Sequence, residues 1–410
     1  MLYNNLSEYL REKYGKRMKK ICIDGNFSCP NRDGKCGTGG CIFCGERGSG
    51  EHITPALSIE KQVSSVISQA AKDDLFIAYF QNFTNTYASP EILKERYDSA
   101  LIDERIKILS IGTRPDCINE EIAKLISSYS EKYEVWVELG LQTANDTTAK
   151  LINRGYDLRA FEKAMEILCD YEIKTVVHLI IGLPGESSED VIATAEYLSS
   201  FKLFGVKIHS LYVMEGTVLA KMYEEKSYTP PTLFEYADMA SELIARISPK
   251  VILHRITGDC PKERLVAPEW NRDKNEIISR INYALTKKGY SQGCLAPRII
   301  RISHDLEKLG YRFSRQISNV CFVFDTKAFS LSEDTAFIAL TQTEGEVFIE
   351  DMCETHDAVW TYVSDERFKS TAEKHGVLIK EGKYMRLYAP YESEKTLLDF
   401  IACLKELSLR

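Results

Sequence analysis

No apolar run in this 410-residue chain approaches the ~18–20 residues of a membrane-spanning helix, and the opening segment MLYNNLSEYLREKYGKRMKK has no apolar signal core. Internal repeats and low-complexity tracts are also missing. These absences predict a soluble, cytoplasmic protein with no membrane partner. With 44% hydrophobic and 27% charged residues the composition is globular. It excludes a collagen, a mucin-like stalk and a largely disordered tail. At roughly 100–200 residues per domain the length allows two or three domains. The net charge of −8 argues weakly against nucleic acid, but residues 1–20 carry six Lys and Arg against two Glu, a local +4.

Twelve cysteines stand out. A long chain with no signal and a full apolar complement has little need of disulfides. Four of them, Cys29, Cys36, Cys41 and Cys44, fall within sixteen residues, and the other eight are scattered. That distribution suits a reducing compartment and a local thiolate cluster. Cys117, Cys169, Cys260, Cys294, Cys321 and Cys403 read as small hydrophobes. A metal site at Cys353 and His356 lacks two further ligands nearby.

From about 20 to 215, short apolar runs alternate with amphipathic ones. Strands are expected at 20–23, 75–80, 106–112, 134–139, 174–181 and 205–213. Helical spacing falls at 58–72, 119–132, 161–169 and 191–201. The run TVVHLIIG is apolar almost throughout, as parallel strands covered on both faces are. Six βα units in a row imply an α/β fold with a parallel barrel or an open doubly wound sheet, and ligands at the carboxyl ends of its strands. Polar and glycine-rich segments follow each strand. Residues 1–217 are therefore expected to form the barrel, and 218–295 a mainly helical extension with one strand at 251–254. Residues 296–410 are expected to form a separate α+β module with helices at 303–309 and 392–407.

The segment 29–44 offers thiolates with no nitrogen or oxygen ligands nearby, which suits a soft metal site. Four cysteines allow a structural zinc. Three of them allow a 4Fe-4S cluster with one open iron. The position of the segment after the first strand, facing the other strand-end loops, favours the cluster.

The cysteine segment and the six-unit barrel resemble the radical S-adenosylmethionine superfamily. In that family three cysteines, most often spaced C-x3-C-x2-C, hold a 4Fe-4S cluster whose open iron binds S-adenosylmethionine. Here Cys29, Cys41 and Cys44 are spaced C-x11-C-x2-C, which is similar to a bacterial subfamily related to the elongator catalytic subunit. The segments CPNRDG, YFQNFTNTYA, TRPD, ELGLQT, NRGYD, HLIIGLPGE and HRITGDCPKERLVAPEW look like that subfamily, over roughly residues 3 to 295. Residues 296–410 resemble nothing familiar. Cys36, at C-x4-C-x2-C from Cys41 and Cys44, is the competing first ligand, and the CPNRDG context favours Cys29.

The resemblance implies an oxygen-sensitive enzyme in which the reduced cluster and S-adenosylmethionine generate a 5′-deoxyadenosyl radical. It implies a one-electron donor such as flavodoxin or ferredoxin. Phe43 matches the aromatic beside adenine, and Gln81 and Asn85 match the loop that contacts the methionine moiety, although the common Gly-Gly-Glu is missing there. Glu138 and Gln142 match positions reaching ribose and carboxylate. Gly182 belongs to the strand-five motif whose backbone approaches adenine, and Val213 to the sixth strand tip. Catalytic candidates are Lys207 and His209, which alternate on one strand and share a face, and Arg114 and Asp116 of TRPD, which also read as an ion pair fixing a loop. His254, Arg255 and Asp259 are further candidates. Tyr156 stands where relatives often have histidine.

Elongator-type relatives modify the C5 side chain of the wobble uridine, so tRNA is the expected substrate, with the basic residues 1–20 as phosphate contacts near the site entrance. A small molecule or a peptide is the alternative for the same chemistry, and a zinc-stapled binding protein is the alternative without it. Residues 296–410 hold 15 Lys and Arg against 19 Asp and Glu. They are expected to contact a protein rather than RNA.

Overall fold

The computed structural model describes residues 2–48, 50, 53 and 57–296, and beyond them the strands within 312–390. The chain divides into two units, residues 1–195 with 203–294, and residues 196–202 with 295–410.

The first unit begins with α1 (Leu6–Tyr14), started by the Asn5 side chain accepting from the Glu8 amide and ended at Gly15 in the left-handed region. There follow β1 (Met18–Ile23), α2 (Ile59–Ile67), β2 (Leu75–Phe80), α3 (Pro90–Ala100), β3 (Ile106–Thr113), α4 (Glu120–Ser128), β4 (Glu134–Gln142), α5 (Asp146–Leu151), α6 (Leu158–Asp170), β5 (Lys174–Ile181), α7 (Ser188–Ser199) and β6 (Gly205–Ser210). Ser58, Asn119 and Asp157 cap α2, α4 and α6 by accepting backbone N–H groups, so each helix starts where its apolar period starts. All six expected βα units are present.

Beyond β6 the chain forms β7 (Val213–Met214), α8 (Val218–Glu224), α9 (Leu233–Arg246), β8 (Ile252–Arg255), β9 (Leu265–Ala267) and α10 (Lys274–Lys288). The main sheet runs β1-β2-β3-β4-β5-β6-β8, parallel throughout, with β1 and β8 as its edges. It is a partial barrel of seven strands rather than six. The extra strand is only four residues long, too short for its period to tie it to a sheet. The expected strand 205–213 is in fact two. Ser210 accepts from the Gly258 amide and bonds Asn271, and after it the chain turns out of the sheet so that β7 pairs antiparallel with β9.

Strand residues alternate between two apolar environments. Ile21, Ile23, Phe76, Phe80 and Leu139 are buried on the helical side. On the inner side Leu10 of α1 packs against Ile77, Tyr79, Ile108, Trp136 and Val176, closing the amino-terminal mouth of the barrel. Glu134, at the start of β4, fixes this plug. Its carboxylate accepts from the Tyr9 and Tyr14 hydroxyls at 2.6 Å each and from Trp136 Nε1 at 2.8 Å. It pairs with Lys13 at 2.7 Å and Lys174 at 2.6 Å.

This corrects the expected place of the basic segment. Lys13, Lys16 and Lys19 are paired with Glu134, Asp73 and Asp74, at the mouth opposite the cysteine loop. They do not line the site entrance. No described helix is long and apolar enough to cross a membrane.

The second unit contains an antiparallel sheet ordered β10-β11-β12-β13-β15-β14, formed by β10 (Arg312–Ser318), β11 (Cys321–Asp325), β12 (Phe337–Gln342), β13 (Asp357–Val363), β14 (Leu378–Lys380) and β15 (Met385–Pro390). The helices expected at 303–309 and 392–407 and the Cys353–His356 pair lie outside the described residues.

Burial alone would raise the Glu134 carboxyl, but hydrogen bonds from Lys13, Lys174, Tyr14 and Tyr9 hold it at about 2. A depressed carboxylate stabilises the fold above its unfolded value and loses that contribution as pH falls toward the folded one. Glu134→Gln should cost about 2–4 kcal/mol at neutral pH. In urea titrations its deficit relative to the parent should shrink from about pH 4.5 downward. A deficit independent of pH would show that shape, not charge, matters at this position.

Candidate functional site

Strand β1 delivers the chain to the carboxyl-terminal mouth, where the loop 29–44 folds on itself. The Arg32 amide donates to the Cys29 carbonyl at 2.8 Å and the Cys36 amide to Pro30 at 2.8 Å, while Asp33 and Thr38 pair as a short bridge. The Gly40 amide then returns to the Asn31 carbonyl at 2.9 Å. Residues 32–39 are thus a small excursion whose ends meet, and Cys36 lies out on it.

The segment Asn153-Arg154-Gly155-Tyr156 clamps this loop. Asn31 Nδ2 donates to the Asn153 carbonyl at 2.6 Å, Asn153 Nδ2 donates to Gly40 at 2.7 Å, and the Ile42 amide donates to Ile152 at 3.1 Å. The Tyr156 ring lies between the guanidinium groups of Arg114 and Arg154, each 4.7 Å from its centre, and its hydroxyl donates to the Gly140 carbonyl. Asp116 holds Arg114 through two contacts of 2.9 and 2.7 Å, and Arg114 donates to the Arg154 carbonyl at 2.9 Å.

Cys29, Cys41 and Cys44 line one cavity of about 230 Å³, together with Phe43, Gln81, Arg114, Glu138, Gln142 and His209 among the residues expected from sequence. A mutual hydrogen bond pushes the Cys41 thiol up and brings Cys44 down to about 7, aided at Cys44 by Arg32 and Arg114. Among the described residues no three His, Cys, Asp or Glu side chains are gathered as they would be around a metal ion. A cubane is wider than an ion, and three thiols around a shared cavity, with guanidinium groups to favour the thiolates, are a donor set of the kind it takes. Cys36 lines a different cavity, with Cys117, Asp116 and Tyr87.

At the tip of β4 the backbone bulges between Gly140 and Gln142, and Gln142 takes a left-handed φ of 68°. That conformation disfavours a side-chain-bearing residue. A Cβ on Gly140 would stand 2.7 Å from Gln142 Nε2, so the glycine lets this side chain fold back along the cavity wall.

Glu138, 1% exposed, sits below. It accepts from Ser110 Oγ at 2.7 Å, contacts His178 Nε2 at 2.7 Å, and is paired with Lys207. Burial would raise its pKa, but Lys207 and His178 hold it well below the usual range. Burial lowers Lys207 to about 7 against the pull of Glu138. Burial likewise keeps His209 well below the usual imidazole value, and His209 Nε2 is shielded with no hydrogen-bond partner.

Several expected residues do not face this cavity. Asn85 is buried and donates to the Phe80 and Gly112 carbonyls. Val213 packs among Ile42, Leu183 and Leu211, while its neighbour Met214 reaches the cavity. Gly182, at φ 94°, has Pro231 where a Cβ would stand, and its carbonyl accepts from Tyr228. Asp116 acts through Arg114, and Lys207 lies one alternation below His209. His254 packs edge-on against Trp136 and Phe204. Sequence reading missed Tyr79, Arg154 and His178. The polar signal was there for His178, a histidine inside an apolar strand at the same alternation as Val176 and Ile180.

Residues 34–198 match the radical SAM superfamily and residues 204–287 the radical SAM C-terminal domain. The chain is 36% identical over 301 residues to YtqA of Bacillus subtilis (strain 168), covering 72% of this chain and 94% of that one. It is 32% identical over 157 residues to a tRNA uridine(34) acetyltransferase of Dehalococcoides mccartyi (strain CBDB1), covering 37% and 33%. The solved archaeal Elp3 of Methanocaldococcus infernus, at 18% identity, shares the fold with a TM-score of 0.52 over 91% of this chain and 99% of that one.

If the clamp holds the cysteine loop, Asn153→Ala should cost about 1–3 kcal/mol, since it loses hydrogen bonds and strains a left-handed residue of φ 53°. Cys41 of the cluster-free protein should then be alkylated faster. Asn153→Gly relieves the backbone strain and should recover stability while Cys41 stays fast. A Cys41 rate at the parental value in both variants would contradict the clamp.

Proposed function

Since this chain belongs to the radical SAM superfamily, we propose that Cys29, Cys41 and Cys44 hold its 4Fe-4S cluster and that it modifies the C5 side chain of the wobble uridine of tRNA. The family's cofactors are the cluster and S-adenosylmethionine, which together supply a 5′-deoxyadenosyl radical for hydrogen abstraction. The observation that carries the ligand set is the convergence of these three thiols, and not Cys36, on the cavity at the carboxyl ends of the strands.

The chain's own residues supply orientation and exclusion of water. Phe43, Ile180, Leu211 and Met214 give the cavity apolar walls suited to an adenine. Gln81, Gln142 and Tyr212 offer polar atoms at its edge. Arg114, held by Asp116 and beside the thiolates, favours their charged form. Gly112, Gly140 and Gly40 let the cavity wall pack closely, since a Cβ there would meet the Phe80 carbonyl at 3.1 Å, Gln142 Nε2 at 2.7 Å and Arg32 Nε at 2.8 Å. His209, neutral at physiological pH, looks inward from β6 to where a substrate would meet the radical.

The tRNA reading is supported by the likeness to the uridine(34) acetyltransferase. An electron donor of flavodoxin or ferredoxin type would reduce the cluster, and residues 296–410 are left to contact a protein partner.

Two measurements test these assignments. After anaerobic reconstitution Cys29→Ala should lose the broad absorbance near ~400 nm of thiolate-bound iron and sulfide, and Cys36→Ala should keep it. The family match begins at residue 34, after Cys29, so the reverse result would move the triad to Cys36, Cys41 and Cys44. Nucleoside mass spectrometry of tRNA from a deletion strain should show an altered wobble uridine. An unchanged profile would overturn the tRNA reading and leave the radical chemistry standing.

A further inference from the structure

Above the Glu134 plug, the inner face of the barrel carries more basic side chains than its one carboxylate there, Glu138, needs. Strand alternation puts Ile21 and Ile23 of β1 against the helices and turns Lys20 and Cys22 inward. Lys20 Nζ stands 5.6 Å from the centre of the Tyr79 ring and Lys207 Nζ 4.3 Å from it. Arg255, on the opposite edge strand β8, acts electrostatically on both lysines. Glu138 is the sole interior carboxylate in this set, and it is already bound by Lys207, His178 and Ser110. Asp259 is divided between Arg255, at 3.5 Å, and Lys274, at 2.6 Å. Among the described residues Lys20 has no hydrogen-bond or ion-pair partner. Burial lowers its pKa and Arg255 lowers it further against the pull of Glu138. Next to these cations His209 presents a shielded Nε2 with nothing bonded to it.

An unpaired ammonium and an unpaired imidazole nitrogen on the inner face of the barrel both cost desolvation energy that an anion would return. We propose that Lys20, Arg255 and His209 form a seat, below the cysteine loop, for an anionic oxygen group of the substrate, a carboxylate or a phosphate. The seat rests on the reading of the barrel interior as the substrate's place. It deepens that reading by requiring the entering group to carry negative charge. If the substrate is a nucleoside in tRNA, the charge belongs to the base substituent or to the phosphate of the nucleotide that enters, since the rest of the RNA backbone stays outside the barrel.

Cys22 is a built-in reporter. The residue is exposed on the edge strand, burial raises its thiol, and its charged neighbours are Lys20, Lys207, Arg255 and Glu138. The experiment alkylates the anaerobically reconstituted full chain with iodoacetate, which is anionic, or iodoacetamide, which is neutral, and quantifies Cys22 by peptide mass spectrometry. The ratio of the two rates cancels the thiolate fraction and reports local attraction for a carboxylate. The ratio should exceed that of N-acetylcysteine amide by about threefold or more. It should fall in Lys20→Gln and persist in Lys20→Arg.

Acetate and inorganic phosphate at matched ionic strength should slow iodoacetate at Cys22, and the stronger competitor identifies the anion class. A ratio equal to that of the free thiol, or one unaffected by Lys20→Gln, would overturn the proposal. So would suppression of iodoacetate labelling by S-adenosylmethionine, which would give the seat to the cofactor. No arm uses tRNA. A raised ratio beside an unchanged tRNA profile therefore removes only the uridine reading, and a flat ratio beside an altered profile removes only the seat.

Discussion

The buried carboxylate of Glu138 is the constraint around which the barrel is organised. It stands on β4, the middle strand of seven, and takes hydrogen bonds or charge from Ser110 on β3, His178 on β5 and Lys207 on β6. Isolated, it would be very costly at that depth; surrounded by three donors it is held ionised. A slip of one residue would turn every inward side chain of a strand to the helical face. A single carboxylate needing partners from three neighbouring strands admits one register, so the tips of those strands arrive together at the same mouth.

Glu134, four residues earlier on the same strand, does for the other mouth what Glu138 does for the middle. Their spacing places both side chains on the inner face, at different depths. The lower one collects Tyr9, Lys13 and Tyr14 from α1 and Lys174 from β5, and so turns a basic helix into a stopper. The cavity lined by Cys29, Cys41 and Cys44 lies at the opposite mouth. Around Glu138 the described basic side chains of the inner face, Lys20, Lys207 and Arg255, outnumber the carboxylate they face.

The strands at 75–80 and 174–181 were legible to the residue, because apolar β-branched and aromatic runs bounded by polar turns have few other solutions. The strand at 252–255 was legible as a strand but not as a member of the sheet, since four residues do not reveal a partner. Residue chemistry pointed to a thiolate cluster at 29–44, whereas the preference for Cys29 over Cys36 came from the family resemblance. Tyr79 and Arg154 were not legible: a tyrosine in an apolar strand and an arginine in a loop look like packing and surface until the fold brings them to the cavity. The charge of residues 1–20 misled for the opposite reason. Composition counts charges without their partners, and Asp73, Asp74 and Glu134 are distant in sequence.

The eleven residues between Cys29 and Cys41 look like a departure from the superfamily's commonest spacing, and the folded loop shows how small that departure is. Residues 32–39 leave and return: Asn31 and Gly40 are joined by a backbone hydrogen bond of 2.9 Å, and Asp33 pairs with Thr38 within the excursion. Along the path that remains, only Pro30, Asn31 and Gly40 separate Cys29 from Cys41. Three intervening residues, followed by two before Cys44, restore C-x3-C-x2-C in space. The same geometry is what favours Cys29 in the proposed triad, since Cys36, whose sequence spacing is nearer the common pattern, lies on the excursion and lines another cavity with Cys117 and Tyr87. Spacing along a chain matters only through the distance the backbone actually travels, and an inserted hairpin adds residues without adding distance.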